Sequence, residues 1–180
     1  MKAQRSLKGR ALQWLAQREQ SRSELRRKLL PHAMAEDAAE AAAATDAKED
    51  DPRTAHEPEP TPAARVEAVL DWLEAHDYLS QTRFAESRVH ARASRFGNLR
   101  IRQELKQHQV VLSAEAAQAL KDSELQRARA VLERKFAEPP STSAERARQA
   151  RFLAGRGFSH EVIARALRRD GAEQHATFDG

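Results

Sequence analysis

The sequence predicts an all-α protein made of three tandem three-helix repeats, and three observations predict it. Apolar residues recur at helical spacing along most of the chain instead of alternating. Residues that sheets favour are scarce, with one Tyr, two Trp and six Phe among 180 residues, and only six Gly are present. Finally, the helices fall into sets of three, each with an Arg-bearing middle member whose inner face carries Leu. Units of this kind are expected to stack into an elongated molecule with a long outer face and no central pocket.

The first repeat is expected over residues 6–81. Leu7, Ala11, Leu12 and Leu15 share one helical face, with Trp14 beside it. Ser21-Arg22-Ser23-Glu24 opens a second helix with the pattern of a capping box, in which Ser21 and Glu24 each satisfy a backbone N–H of the other. Leu25, Leu29 and Leu30 form its apolar face, and Pro31 is expected to end it. After an insertion, Val66, Val69, Leu70 and Leu73 define the third helix, closed by Tyr78-Leu79.

The insertion, residues 33–63, holds nine acidic residues against Lys48 and Arg53, a net −7. The whole chain carries +4, so the other 149 residues carry +11. Alanine tracts, acidic clusters and Pro52, Pro58, Pro60 and Pro62 leave this stretch with Met34 as its one large apolar side chain. It buries too little to offset ordering entropy and reads as largely disordered, with Ala35–Ala44 able to extend a helix.

The second repeat is expected over 82–123. Phe84, Ala85, Val89, Ala93 and Phe96 point inward, and Arg83, Arg88, Arg92 and Arg95 outward. Gly97-Asn98 marks a turn, Leu99 to Lys106 lie on the next helix, and Ser113 caps one carrying Ala116, Ala117 and Leu120. The third repeat, 124–171, has Leu125, Ala128, Val131, Leu132 and Phe136 on one stripe. Thr142 or Ser143 then caps a helix with Phe152 and Leu153 inward, Gly157 suits a left-handed cap, and Ser159 opens the last helix. Across the middle helices, Leu25, Leu105 and Leu153 are each followed five residues on by Leu30, Val110 and Phe158.

Several function classes are disfavoured. Without cysteine there are no disulfides, thiolate nucleophiles or Cys-bearing zinc sites. The seven His form no i, i+4 pair, so no metal or other cofactor is expected. Asp71, Glu74 and Asp77 read as a solvated acidic edge, and Gly155-Arg156-Gly157 lacks the Lys-Ser/Thr of a phosphate loop. No run reaches membrane-spanning length and no signal-peptide pattern follows the basic N-terminus, so a cytoplasmic, non-enzymatic monomer is expected.

Four segments in order resemble the RecX family of bacterial RecA regulators. They are Ala11-Leu12 through Leu15, Arg18 and Ser21–Leu25–Leu29; Tyr78-Leu79 with Arg83-Phe84-Ala85; Arg92 to Gly97 with Arg100-Ile101 and Glu104-Leu105; and Phe152-Leu153 with Arg156-Gly157-Phe158-Ser159. The resemblance implies three tandem three-helix repeats in a curved, extended molecule, and binding in the groove of the RecA–single-stranded-DNA filament. It also implies restraint of filament growth, ATP hydrolysis, strand exchange and the co-protease activity that triggers the SOS response. The chain departs from the family pattern at Asp77, at Ser80-Gln81, at Gln109-Val110 (often Gly-Ile) and in the insertion.

Density of positive charge on outer faces selects Arg92, Arg95, Arg100, Arg102 and Lys106 in the second repeat, and Arg148, Arg151 and Arg156 in the third, as contacts to RecA and to DNA. The alternative is a helix-turn-helix-like transcriptional regulator. Only Gln103 and Gln107 are well placed to read adenine on these helices, and Arg alone favours phosphates over base edges.

Overall fold

The computed structural model describes residues 6–46 and 59–168, which form nine helices and no strand. They divide into two units, Met1–Phe84 and Ala85–Gly180.

In the first unit, α1 (Leu7–Leu15), α2 (Arg22–Asp46) and α3 (Pro62–Ala75) close around one core. Leu7 and Ala11 of α1 meet Leu25, Leu29 and Ala33 of α2 and Val66, Leu70 and Leu73 of α3. Each is one or two helical turns from the next, so each helix buries a single stripe. Burying a Leu of this kind contributes about 1.5–3 kcal/mol. Caps fix the starts. Glu24 N–H donates to Ser21 Oγ at 3.1 Å and Ser21 N–H to Glu24 Oε2 at 3.3 Å, the expected capping box. Thr61 Oγ1 accepts from Ala64 N–H at 3.2 Å, with Pro62 in the first turn, where a missing N–H costs nothing.

Two local expectations fail here. Pro31 does not end α2, which continues to Asp46 through the first part of the insertion. Proline removes one backbone bond, but Pro31 is exposed and Ala33 beyond it is fully buried in the core. Arg65 of α3 then holds the extension, donating to Ala33 O at 2.8 Å and to the Asp37 carboxylate. Residues 47–58, the middle of the stretch expected to be disordered, lie outside the described residues. Nor do Asp71 and Glu74 form a simple solvated edge, since both, with Glu67, accept from the Arg22 guanidinium at 2.6 Å. Burial opposes the charge on Arg22, but the bonds from Glu67 and Asp71 and the field of Glu74 outweigh it and raise the pKa.

α4 (Gln81–Ala93) crosses from the first unit into the second, which continues with α5 (Asn98–Gln107), α6 (Ala114–Asp122), α7 (Glu124–Lys135), α8 (Ser143–Ala154) and α9 (His160–Ala166). A second core joins Ala128, Val131 and Leu132 to Leu153, Phe158, Val162, Ile163 and Leu167. Ser113, Thr142 and Ser159 cap α6, α8 and α9, and Thr142 forms a full capping box with Glu145. Gly157 is left-handed at φ 79, as expected. Gln109 adopts the same region at φ 58, which a non-glycine residue does at a cost. In both places the next residue turns back inward, with Val110 N–H on Leu105 O at 3.0 Å and Phe158 N–H on Leu153 O at 3.3 Å.

The start of α5 is held from outside. Gly97 precedes it without a side-chain cap, and its first amides are satisfied by other elements. Gly97 N–H donates to Arg156 O and Leu99 N–H to Gly157 O, both at 3.0 Å, and Asn98 N–H donates to the buried Glu124 carboxylate at 2.9 Å. The approach is close enough that a Cβ on Gly97 falls 2.3 Å from Gly157 O. Arg127 completes the joint. Its guanidinium donates to Phe96 O at 2.7 Å, Leu120 O at 3.0 Å, Ala93 O at 3.2 Å and the Asn98 side-chain oxygen. Burial lowers its pKa, partly offset by Glu124.

Replacing Arg127 with Met orphans these acceptors, and we expect a loss of about 3–5 kcal/mol in urea unfolding. A loss below about 1 kcal/mol excludes the joint as a main support of the second unit. The Glu145 carboxyl is held below its ordinary pKa by the Ser141 N–H and hydroxyl, then by the Thr142 N–H and Arg148. A depressed carboxyl stabilises above the ordinary carboxylate range and loses that contribution as pH falls through its folded pKa. Glu145→Gln should therefore lower the melting temperature at neutral pH and progressively less in acid; an equal deficit in strong acid contradicts the capping role.

Candidate basic interface

The cations chosen from sequence meet different fates. Arg92 is engaged within the fold, donating to Glu104 through Nε and Nη2 at 3.1–3.2 Å while Arg88 donates to the same carboxylate at 3.2 Å. Glu104 thus clamps α4 to α5 with two arginines. By contrast, Arg95, Arg100, Arg102, Lys106, Arg151 and Arg156 have no carboxylate within ion-pairing distance among the described residues. All but the half-buried Arg156 are exposed.

Three phenylalanines organise part of this charge. Around the half-buried Phe96 ring stand the guanidinium carbons of Arg100 at 4.5 Å and Arg95 at 5.6 Å. In α8, Phe152 carries Arg156 at 3.7 Å, and Phe136, edge-on to it at 5.2 Å, carries Arg148 at 5.5 Å. A guanidinium over a ring is held flat, contributes about 0.5–1 kcal/mol at an exposed site, and keeps its N–H fork free for an oxyanion. Phe96 and Phe152 were read as inward apolar residues and not as supports for arginine, although Arg100 and Arg156 each follow their ring by four residues. The Phe136–Arg148 contact joins different helices and had no local signal.

The Gly97–Gly157 contact brings the two sets together. Arg100 lies directly against Gly157, where a methyl group on the glycine would fall 2.6 Å from the Arg100 Cβ. Arg100 of α5 and Arg156 after α8 therefore flank one joint, with their backbones linked through the bonds of Gly97 and Leu99. Arg102 and Lys106 do not belong to this group. At 3.6 residues per turn, Arg102 points about 160° around α5 from Arg100. There it edges a groove formed with Leu105, Val110, Val111 and Ala117. Arg151 is exposed on α8, outside both ring stacks.

The first unit contributes a smaller aromatic group. Trp72 stacks on His76 at 4.1 Å and on Tyr78 at 5.5 Å, with Lys8 Nζ 3.1 Å from its ring. His76 Nδ1 also bonds Trp72 O at 2.8 Å, a local role. Among the described residues no group of three His, Asp or Glu is placed to hold a metal ion, and no helix is long and apolar enough to cross a membrane.

Comparison with known proteins bears on the same segments. Residues 80–119 match the second three-helix domain of RecX, and residues 122–167 match the third. Over 164 residues the chain is 47% identical to the regulatory protein RecX of Ralstonia nicotianae, covering 90% of this chain and 86% of that protein. It is 46% identical over 167 residues to that of Leptothrix cholodnii, covering 92% and 89%. The Neisseria meningitidis protein of the same name is 32% identical over 183 residues, covering 100% and 97%. With an all-helical fold and matches of this length, the chain belongs to the RecX family of regulatory proteins.

Proposed function

We propose that this protein binds RecA and the RecA–single-stranded-DNA filament and limits recombinase and co-protease activity, acting as a cytoplasmic monomer by binding and not by catalysis. In this reading residues 6–81, 82–123 and 124–171 are three repeats of one plan. Arg95, Arg100, Arg102, Lys106, Arg148, Arg151 and Arg156 supply the contacts, and Arg92 supports them through Glu104. Family membership supports the regulatory role. The observation that carries the mode of action is the set of cations left without carboxylate partners in the second unit, two of them set over phenylalanine rings. A fold that neutralises Arg22, Arg83, Arg88 and Arg92 internally leaves these for an outside anion.

A sequence-reading DNA-binding role retains one favourable feature, the exposure of Gln103 and Gln107 on α5. It predicts preference for one duplex sequence, whereas phosphate contact predicts none.

The test is RecA ATPase on single-stranded DNA. The triple variant Arg95→Glu, Arg100→Glu, Arg156→Glu should need at least about tenfold more protein for equal inhibition. Its salt dependence should also flatten by about 0.7 per lost phosphate contact on single strands. Inhibition equal to that of the unaltered protein, with an unchanged salt slope, overturns the assignment.

A further inference from the structure

The second unit carries an apolar groove that nothing in the described fold fills. Two residues beyond α5 the left-handed Gln109 turns Val110 inward to 5% exposure and throws Val111 outward to 90%. Leu112 is only half-buried, and α6 presents the small Ala117 where a longer side chain would close the gap. The resulting groove holds about 370 Å³, at the small end of the range for ligand sites. Its apolar floor is Leu105, Val110 and Ala117, and Val111 stands at its lip.

The rim is basic. Arg102 and Lys106, one turn apart on α5, both border the groove, and neither has a carboxylate partner among the described residues. Gln109 adds a neutral polar edge, and no acidic side chain lines the groove. An apolar floor beneath two unneutralised cations suits neither a bare phosphate chain nor a purely apolar peptide. Phosphates gain nothing from Leu105 and Val111, and burying these residues under nucleic acid backbone forfeits the hydrophobic contribution. An uncharged apolar peptide leaves Arg102 and Lys106 without a counterion.

We infer that this groove docks an acidic protein segment carrying one or two branched apolar side chains, which seat between Val111 and Ala117 while its carboxylates face Arg102 and Lys106. Helices with apolar residues at i and i+4 dock in grooves by this mode. The inference deepens the reading above by dividing its basic residues. Arg95, Arg100 and Arg156 on the far side of α5 meet phosphate, and Arg102 and Lys106 meet protein. It rests on that reading for the division only; the test below involves neither RecA nor ATP.

The probe is a fluorescein-labelled 18-residue helical peptide of Glu and Ala with Leu at two i, i+4 positions. Its controls are the same peptide with Gln for both Leu, and an 18-nucleotide oligo-dT. Binding to the full chain is followed by anisotropy, and the methyl resonances of Val110, Val111 and Ala117 report the site. The Leu peptide should shift those methyls and bind at least tenfold more tightly than the Gln peptide. Val111→Asp, at an exposed position that leaves the fold intact by circular dichroism, should weaken the peptide at least tenfold and leave oligo-dT unchanged. Arg102→Glu with Lys106→Glu should weaken the peptide similarly. The inference is overturned if oligo-dT, and not the peptide, shifts the groove methyls. It is equally overturned if the Leu and Gln peptides bind alike, or if Val111→Asp binds the Leu peptide as well as the unaltered chain. A failed ATPase test with positive peptide results sinks the RecA reading alone.

Discussion

A helix needs partners for its first amide groups, and α5 has none in its own side chains. The three consecutive donors from Gly97 to Leu99 are instead satisfied by the Arg156 carbonyl, the Glu124 carboxylate and the Gly157 carbonyl. Because these acceptors come from α7 and from the turn after α8, the start of α5 is satisfied only by contact with those elements. Arg127 then covers the carbonyls at the end of α4 and the Asn98 side chain. Much of the second unit's geometry follows from this joint. It sets Arg100 against Gly157 and fixes the direction in which α5 leaves. Gly is required at 97 because a Cβ would meet backbone, which has no rotamer into which to retreat.

Charge in this protein is divided between two uses, and the division follows from reach. Arg22, Arg65, Arg83, Arg88 and Arg92 each lie opposite a carboxylate from another segment and spend their donors on the fold. Most of these pairs are partly exposed, and each is worth little singly, but Arg22 with Glu67, Asp71 and Glu74 and the double clamp on Glu104 are networks with short contacts. Arg95, Arg100, Arg102, Lys106, Arg151 and Arg156 stand where no acidic side chain of the described residues comes within ion-pairing distance, whereas Arg148 lies in the field of Glu145. Net charge counts both groups alike, which is why the positive excess outside the insertion overstates what is available to a partner.

What the sequence disclosed was local. Ser21 with Glu24, Ser113, Ser159 and Gly157 were legible because each cap is decided within about four residues. The alignment of Leu105–Val110 with Leu153–Phe158 was legible for the same reason. Its first member, Leu25–Leu30, fails at the position four after the leading Leu. Gln109 and Gly157 turn left-handed there, but Leu29 is a bulky core residue that stays helical, so α2 runs on. The extension past Pro31 depended on Arg65, 32 residues from the carbonyl it binds, and the loss of Arg92 to Glu104 on a contact between helices. Pattern within one helix could not reveal either. Glu124 and Arg127 were missed because charged residues are expected outside, and only the tertiary joint creates the amide donor that Glu124 accepts from and the carbonyls that Arg127 donates to.

The helical geometry of α5 also limits what one ligand can do. Arg100 and Arg102 lie about 160° apart around the axis, so one extended strand of phosphates cannot engage both without wrapping the helix. Ile101 and Leu105 are buried against the rest of the unit, which blocks wrapping on one side, and Glu104 with its two arginines blocks the path beside α4. Two separate anionic surfaces presented together satisfy the constraint, as a strand of nucleic acid sheathed in protein does. A lone duplex would not, since phosphates reaching Arg100 and Arg156 would lie on the wrong side of α5 to reach Lys106. If the proposed division of these cations holds, affinity is gained chiefly when both surfaces are present at once, because the second contact is then made within an already formed complex.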